Sequence, residues 1–285
     1  IAKEKFELAY CYFNLKKFDK AEPLFASIKE LKGKYYSAGN YYYGLLAYNQ
    51  NSYQEALQSF ERIKDEAQYK NIVPYYIAEI YYFTGQRDKA LSEAVRLTNL
   101  KDKIYYDTEL HLLAAQCLFE EARFEDALAY FEYFYDHTDK IRKEDLYEMA
   151  YSYYKVKEWN NAIEKFKPLS NAHDSLGQAA MYLLGDCYLK AGDKSSARNA
   201  FGFCADMAYN PAQQEAALIL NAKLSYEMGY NDDARARLTT LLTDYPASPY
   251  KDEAKTLMSD ILLKSSNYEE AFNALRDVAS KSGNY

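Results

Sequence analysis

Alanine returns along this chain at Ala21, Ala56, Ala90, Ala127, Ala162, Ala197, Ala234 and Ala271, in steps of 35, 34, 37, 35, 35, 37 and 37 residues. A unit that short cannot bury its own apolar face, so such a chain must stack its units on one another. Four residues after each marker stand Phe25, Phe60, Ala94, Phe131, Phe166, Phe201, Leu238 and Leu275, mostly large and apolar. Twelve residues before it stand Ala9, Gly44, Ala78, Ala115, Ala150, Gly185, Ala222 and Ser259, always small. Three residues before it an aromatic is usual: Phe18, Tyr53, Phe124, Trp159 and Tyr268. Small residues at two fixed places let two helices cross closely, and the large ones fill the space beside the crossing.

The period from Glu144 to Leu169 shows the unit most plainly. Met149, Ala150, Tyr153 and Tyr154 recur at helical spacing on a first arm, and Trp159, Ala162, Ile163 and Phe166 on a second. Each arm offers one apolar face, and the two faces bury each other as a helix hairpin. Thr84-Gly85-Gln86, Ala191-Gly192-Asp193, Met228-Gly229-Tyr230 and Ser265-Ser266-Asn267 fall between arms, where glycine or asparagine is expected to end the first helix. Asn210-Pro211 and Tyr245-Pro246-Ala247-Ser248-Pro249 fall between units, where proline stops a helix and Ser248 is expected to cap the next.

With each marker alanine numbered 20, the pattern has a small residue at 8, tyrosine or leucine at 11, an aromatic at 17 and 24, and an apolar residue at 27. In this the chain resembles the tetratricopeptide-repeat (TPR) proteins along essentially its whole length. Arg87 and Asn231 depart at position 17, Ala94 at 24 and Ser225 at 11. The resemblance implies an all-α, right-handed α-solenoid of about eight hairpins. Their expected bounds are 2–35, 37–70, 71–104, 108–141, 143–176, 178–211, 215–248 and 252–285, in one uninterrupted domain. Ile1 falls inside the first helical pattern, so the chain is expected to be a piece of a longer protein. The last units resemble more narrowly those of bacterial envelope proteins, the Tol-Pal accessory and outer-membrane assembly lipoprotein type. That implies a bacterial, periplasmic or outer-membrane-associated setting, with a cytoplasmic one as the alternative.

In TPR geometry, first-helix positions 5, 9 and 12 face a concave groove. Here they hold Phe6, Tyr10 and Phe13; Tyr41 and Tyr48; Tyr75, Glu79 and Tyr82; Phe119; Tyr147, Tyr151 and Tyr154; Tyr182 and Asp186; and Tyr226. The acids Glu79, Glu109, Glu120, Glu144 and Asp186 are placed on the same side, where they suit a basic peptide. The lysine and asparagine that grip chaperone carboxylates at positions 5 and 9 in other TPR proteins are absent, since Phe6, Tyr41, Tyr75, Leu112, Tyr147, Tyr182 and Ile219 fill position 5 of the first seven repeats.

Composition narrows the rest. Apolar residues make up 49% and charged ones 27%, enough for a packed core rather than disorder. Residues 101–150 hold thirteen acids against six bases, 6 − 13 = −7, which equals the net charge of the whole chain. Such a segment disfavours nucleic acid, whose phosphates need Lys and Arg. No apolar run approaches the roughly 20 residues of a membrane span. Cys11, Cys117 and Cys187 each stand ten residues before a marker alanine, a packing position, and only Cys187 with Cys204 share a hairpin. His111, His137 and His173 lie in separate units, and no metal site, cofactor motif or nucleophile motif is present in the sequence.

What stands out is tyrosine, 32 residues of it. A tyrosine can bury its ring and keep its hydroxyl wet, or anchor a partner at low entropic cost. The chain therefore reads as a non-enzymatic scaffold holding protein or peptide segments in an aromatic groove. Two alternatives remain: glycan or peptidoglycan recognition by stacked rings, and a spacer within a larger TPR protein whose ladder only packs.

Overall fold

The computed structural model describes residues 1–102, 104–276 and 278. Among them lie sixteen α-helices, and one 3-10 turn at Lys167–Asn171. Contacts divide the chain into two compact units, residues 1–140 and those from 141 onward. The first contains α1 (Ala2–Asn14), α2 (Phe18–Ile28), α3 (Tyr36–Asn49), α4 (Tyr53–Glu61), α5 (Val73–Phe83), α6 (Arg87–Thr98), α7 (Asp107–Glu120) and α8 (Phe124–His137). The second contains α9 (Lys143–Lys155), α10 (Trp159–Phe166), α11 (Ser175–Lys190), α12 (Lys194–Ala205), α13 (Pro211–Glu227), α14 (Asn231–Asp244), α15 (Lys251–Lys264) and α16 (Tyr268–Leu275). Odd and even helices pair as hairpins, one per expected repeat; residue 103 of the third repeat and residues 277 and 279–285 of the eighth lie outside the described residues.

The crossing inside each hairpin is the one the small and large residues foretell. Phe25, Phe60, Phe131, Phe166 and Phe201 are all fully buried, as are the marker alanines. A Cβ placed on Gly44 would sit 2.6 Å from the Phe60 ring, and one on Gly185 would sit 2.7 Å from the Phe201 ring. Both distances are far inside van der Waals contact, so in these two hairpins the ring occupies the space a side chain would take.

The turn between arms has one backbone solution, used eight times. Lys16, Asn51, Gly85, Ala122, Lys157, Gly192, Gly229 and Ser266, all at the same repeat position, have positive φ between 57° and 84°. This left-handed residue lets the next amide bond back to the first helix, as Ser52 N does to Ala47 O at 2.8 Å and Asp193 N to Tyr188 O at 2.8 Å. Glycine is expected there and found three times; in the last hairpin Ser266 takes the conformation rather than Asn267. An L-residue pays on the order of 1 kcal/mol for this region. Nothing lies within 4 Å of a Cβ built on Gly192, so the cost of replacing it is purely conformational. Gly192→Ala is expected to lower stability by about 1 kcal/mol in urea denaturation; an unchanged midpoint would mean the turn can relax.

Successive first helices touch within each unit, α3 with α5 and α5 with α7, then α9 with α11, α11 with α13 and α13 with α15. Successive second helices scarcely meet. Each unit therefore curves with its first helices inside. Helix starts at Asp174, Asp193 and Asn210 are capped by their own side chains, which accept from Gly177 N at 2.9 Å, Ser196 N at 3.0 Å and Gln213 N at 3.2 Å. Ser248 does not cap α15 as expected; it is buried in the preceding turn, where its Oγ accepts from Tyr250 N at 3.2 Å.

Cysteine divides likewise. Cys117, Cys187 and Cys204 are buried and free, their thiols pushed up to about 12 by burial. Cys11 is exposed on α1, contrary to the packing expectation.

Candidate binding surface on the first helices

The expected groove residues all lie on odd-numbered helices, but most of their rings are already engaged. In the first unit Tyr10 lies 6.2 Å from Phe6 and 5.5 Å from Tyr42, and Phe13 meets Tyr42 edge-on at 5.0 Å. Tyr41 stacks on Tyr69 at 5.0 Å, and burial pushes its hydroxyl up to about 12. Tyr75 stacks on Tyr106 at 4.4 Å and is itself buried. Phe119 packs edge-on against Phe124 at 5.6 Å and core Phe131 at 6.5 Å. Such pairs contribute about 0.5–1.5 kcal/mol beyond area burial. The ladder is therefore packing as well as surface.

The hydroxyls follow a second pattern. Tyr48 on α3 donates to Glu79 on α5, Tyr82 on α5 donates to Glu120 on α7 at 2.6 Å, and Tyr154 on α9 donates to Asp186 on α11 at 2.8 Å. In each clasp a tyrosine at one repeat position reaches a carboxylate on the next first helix. Burial, then the bond to Glu79, raises the Tyr48 hydroxyl; burial, then the bond to Asp186, raises that of Tyr154. Tyr209 reaches similarly from the end of one hairpin to the His173 carbonyl at 2.6 Å.

Glu79 is the most enclosed of these acids. Tyr48 on α3 donates a hydrogen bond to it, the Tyr75 hydroxyl on its own helix also favours its ionised form, and Glu109 on α7 adds a like charge. Burial, the largest influence, raises its carboxyl above the ordinary 4.5 despite the two hydroxyls. A raised folded value means that folding favours the protonated form. The stability Glu79 contributes is thus full below the unfolded-chain value and lost as pH rises through the folded one. Glu79→Gln is expected to raise the melting temperature of the first unit at pH 7, with the gap closing as pH falls to about 4. A gap that widens in acid would reverse the assignment.

In the second unit Tyr147, Tyr151 and Tyr154 form a run along α9, with centroid separations of 6.1 Å at each step. Tyr147 also touches core Phe166 at 5.8 Å, and Tyr154 meets Trp159 at 5.6 Å. Tyr182 lies edge-on to Phe201 at 5.7 Å, and the Lys264 ammonium lies 4.0 Å from the Tyr226 ring centre. The structure thus gathers Tyr48, Tyr75 and Glu79 in one unit, and Tyr147, Tyr151, Tyr154 and Asp186 in the other.

Sequence reasoning missed several participants. Tyr69 and Tyr106 lie in turns before first helices, outside the groove positions, and Tyr106 has a positive φ of 62° that only backbone geometry reveals. Arg87, visible in sequence merely as a departure from the position-17 aromatic, lies over the Tyr82 ring at 3.9 Å and pairs with Glu120. The acid Glu144 is exposed on α9. Among the described residues no cluster of His, Cys, Asp and Glu suits a metal ion, and no helix is long and apolar enough to cross a membrane.

A sequence profile of the tetratricopeptide repeat family matches residues 147–202. No curated protein matches the chain in sequence. Among solved structures it is similar to a tetratricopeptide repeat protein from Parabacteroides merdae, 14% identical with a TM-score of 0.51, over 92% of this chain and 98% of that one. It is similar also to YrrB, described as a TPR protein with an unusual peptide-binding site, at 14% identity and TM-score 0.53, over 74% of this chain and 100% of that one. The C-terminal part of a TPR repeat-containing protein from Cytophaga hutchinsonii aligns at 14% identity and TM-score 0.52, over 85% and 96%. At such identity the structures establish the fold, a TPR-type α-solenoid, and the profile supports the repeat family for the stretch it covers.

Proposed function

We propose that the chain is a non-catalytic TPR scaffold that binds segments of other proteins along the first helices of its hairpins. The observation that carries this reading is the half-buried tyrosine surface of those helices, where rings are fixed by neighbours and carboxylates recur at the next helix. Rigid aromatic anchors beside fixed acceptors cost little entropy to use. The peptide-binding site ascribed to YrrB supports the same reading by analogy of fold. Rings that stack on one another leave fewer open faces for sugars, which favours a protein partner over a glycan. A bacterial envelope setting, carried by the resemblance of the last repeats, belongs to this proposal and is tested by cell fractionation.

Tyr147 packs on core Phe166 and Tyr154 bonds Asp186, so the probe is Tyr151→Ala, checked for folding by circular dichroism. Affinity capture from envelope and soluble fractions should identify a protein that binds the purified chain saturably and is lost, or weakened about tenfold, with Tyr151→Ala. A partner held equally by both forms would move the site off this surface.

A further inference from the structure

The second helices hold a groove that the tyrosine surface leaves unused. Because the first helices lie inside the curve, successive second helices stand apart, and between α6 and α8 they leave a cavity of about 860 Å³. Leu118 of α7, 3% exposed, forms part of its floor. One wall is Asp88, Leu91, Ser92 and Val95 of α6, and the other is Glu125, Asp126, Ala129 and Tyr130 of α8. Residues three and four apart share a helix face and form ridges along it, and a groove between two ridged helices is what a third helix packs into.

The groove changes character along its length. Asp88, Glu125 and Asp126 stand in the first turns of α6 and α8, and Glu121 in the turn just before α8, so carboxylates gather at one end. Leu91, Val95, Ala129 and Tyr130 lie a turn further on, where Leu91 and Tyr130 rest on the hairpin core. Four carboxylates meet two guanidiniums in this cavity. Arg123 is taken by Glu121 at 3.3 Å and Asp126 at 2.8 Å, and Arg96 by Glu93 at 2.9 Å. Among the described residues Asp88 and Glu125 form no ion pair, so an apolar length ends in unanswered negative charge.

We propose that this groove docks an amphipathic helix of a partner protein, its apolar stripe against Leu91, Val95 and Tyr130 and its Lys or Arg side chains against Asp88 and Glu125. Charge complementarity selects a basic helix over an acidic one. The cavity is within the about 300–1,000 Å³ of natural binding clefts, room for several apolar side chains. This surface goes beyond the tyrosine surface and belongs to second helices of the first unit, whereas Tyr151 belongs to the other unit, so either can fail alone.

The test is titration calorimetry at moderate salt with three capped peptides of about 14 residues, roughly four helical turns. The first is built of leucine, alanine and lysine with its leucines three and four apart, the second scrambles that composition, and the third replaces lysine by glutamate. The striped lysine peptide should bind about tenfold more tightly than the scrambled one, and the glutamate peptide not at all. Asp88→Lys with Glu125→Lys should weaken it about tenfold. Asp102→Lys with Asp139→Lys, an equal charge change at exposed sites outside the cavity, should alter it less than about twofold, since salt screens distant charges. Ala129→Glu separates groove from charge: it adds an attractive carboxylate yet fills the cavity, so binding should fall. Ala129 is exposed, and circular dichroism checks that the hairpin stays folded. Tighter binding with Ala129→Glu, equal losses with the two lysine pairs, or no binding of the striped lysine peptide would each overturn the proposal. Equal binding of the scrambled peptide would give the groove to an extended segment, and self-association abolished by Ala129→Glu would give it to a second copy of the chain; either result overturns the helix.

Discussion

Phe201→Ala is expected to destabilise the second unit by about 3–5 kcal/mol, near the upper end of that range. Phe201 is 1% exposed and packs with Ala197, Leu224, Tyr182 and Leu220. The ring is roofed by Gly185, which has no side chain to fall into the space the ring leaves. Cavity cost grows when the surroundings cannot collapse, so the loss should exceed that of Phe166→Ala, whose partner position is Ala150. A domain is stable by only about 5–15 kcal/mol, so much of the second unit's stability is at stake. Urea denaturation followed by circular dichroism measures both variants. A cost below about 1 kcal/mol would mean that the crossing of α11 and α12 is not held by this ring. Because Tyr182 lies against Phe201, the same variant should loosen a groove residue.

Gln178→Ala should cost about 2–4 kcal/mol, more than its single polar side chain suggests. Gln178 is fully buried between the end of α12 and the start of α13. Its Nε2 donates to the Met207 carbonyl at 2.7 Å and the Asn210 carbonyl at 3.2 Å, while its Oε1 accepts from Asn210 N at 2.7 Å. Helix ends leave backbone groups without intrahelical partners, and this glutamine supplies them across a hairpin boundary. Truncation would strand the Asn210 amide and the Met207 carbonyl, each costing about 1–3 kcal/mol if water stays out, while the Asn210 carbonyl keeps its bond from Gln214 N at 3.0 Å. Water can enter the vacated space, so the sum is not reached. Besides the lower urea midpoint, exchange of the Asn210 amide should accelerate in hydrogen-exchange experiments; a protected amide would show that another acceptor takes over.

The helix pairs were legible because their signal repeats: marker alanines, facing phenylalanines and small residues recur in register, and packing needs them at every crossing. Residues used once carry no such signal. Gln178, and Asn40, which donates to the Lys29 and Tyr36 carbonyls at 2.9 Å each, satisfy particular helix ends and look in sequence like surface amides. The left-handed turn was readable at Gly85, Gly192 and Gly229 but not at Lys16, Ala122 or Lys157, where hairpin closure overrides local preference. The tyrosines named for the groove lie on first helices. That their rings stack and their hydroxyls are spent on neighbouring acids depends on residues about one repeat away, which spacing alone cannot pair. Arg87 shows the same limit: its sequence position announces a missing aromatic, and only the fold shows it seated between Tyr82 and Glu120.

The side-chain bonds between hairpins, Tyr81–Glu61 at 20 residues apart and Tyr82–Glu120 at 38 among them, each join one repeat to the next. Energetically each unit is then a row of beads that exchange free energy with adjacent beads and with no others. Damage in such a row stays where it is made: substitutions two hairpins apart should add, while those in touching hairpins should couple. The same locality lets one bead change its surface chemistry for a new ligand while the rest of the row keeps its free energy.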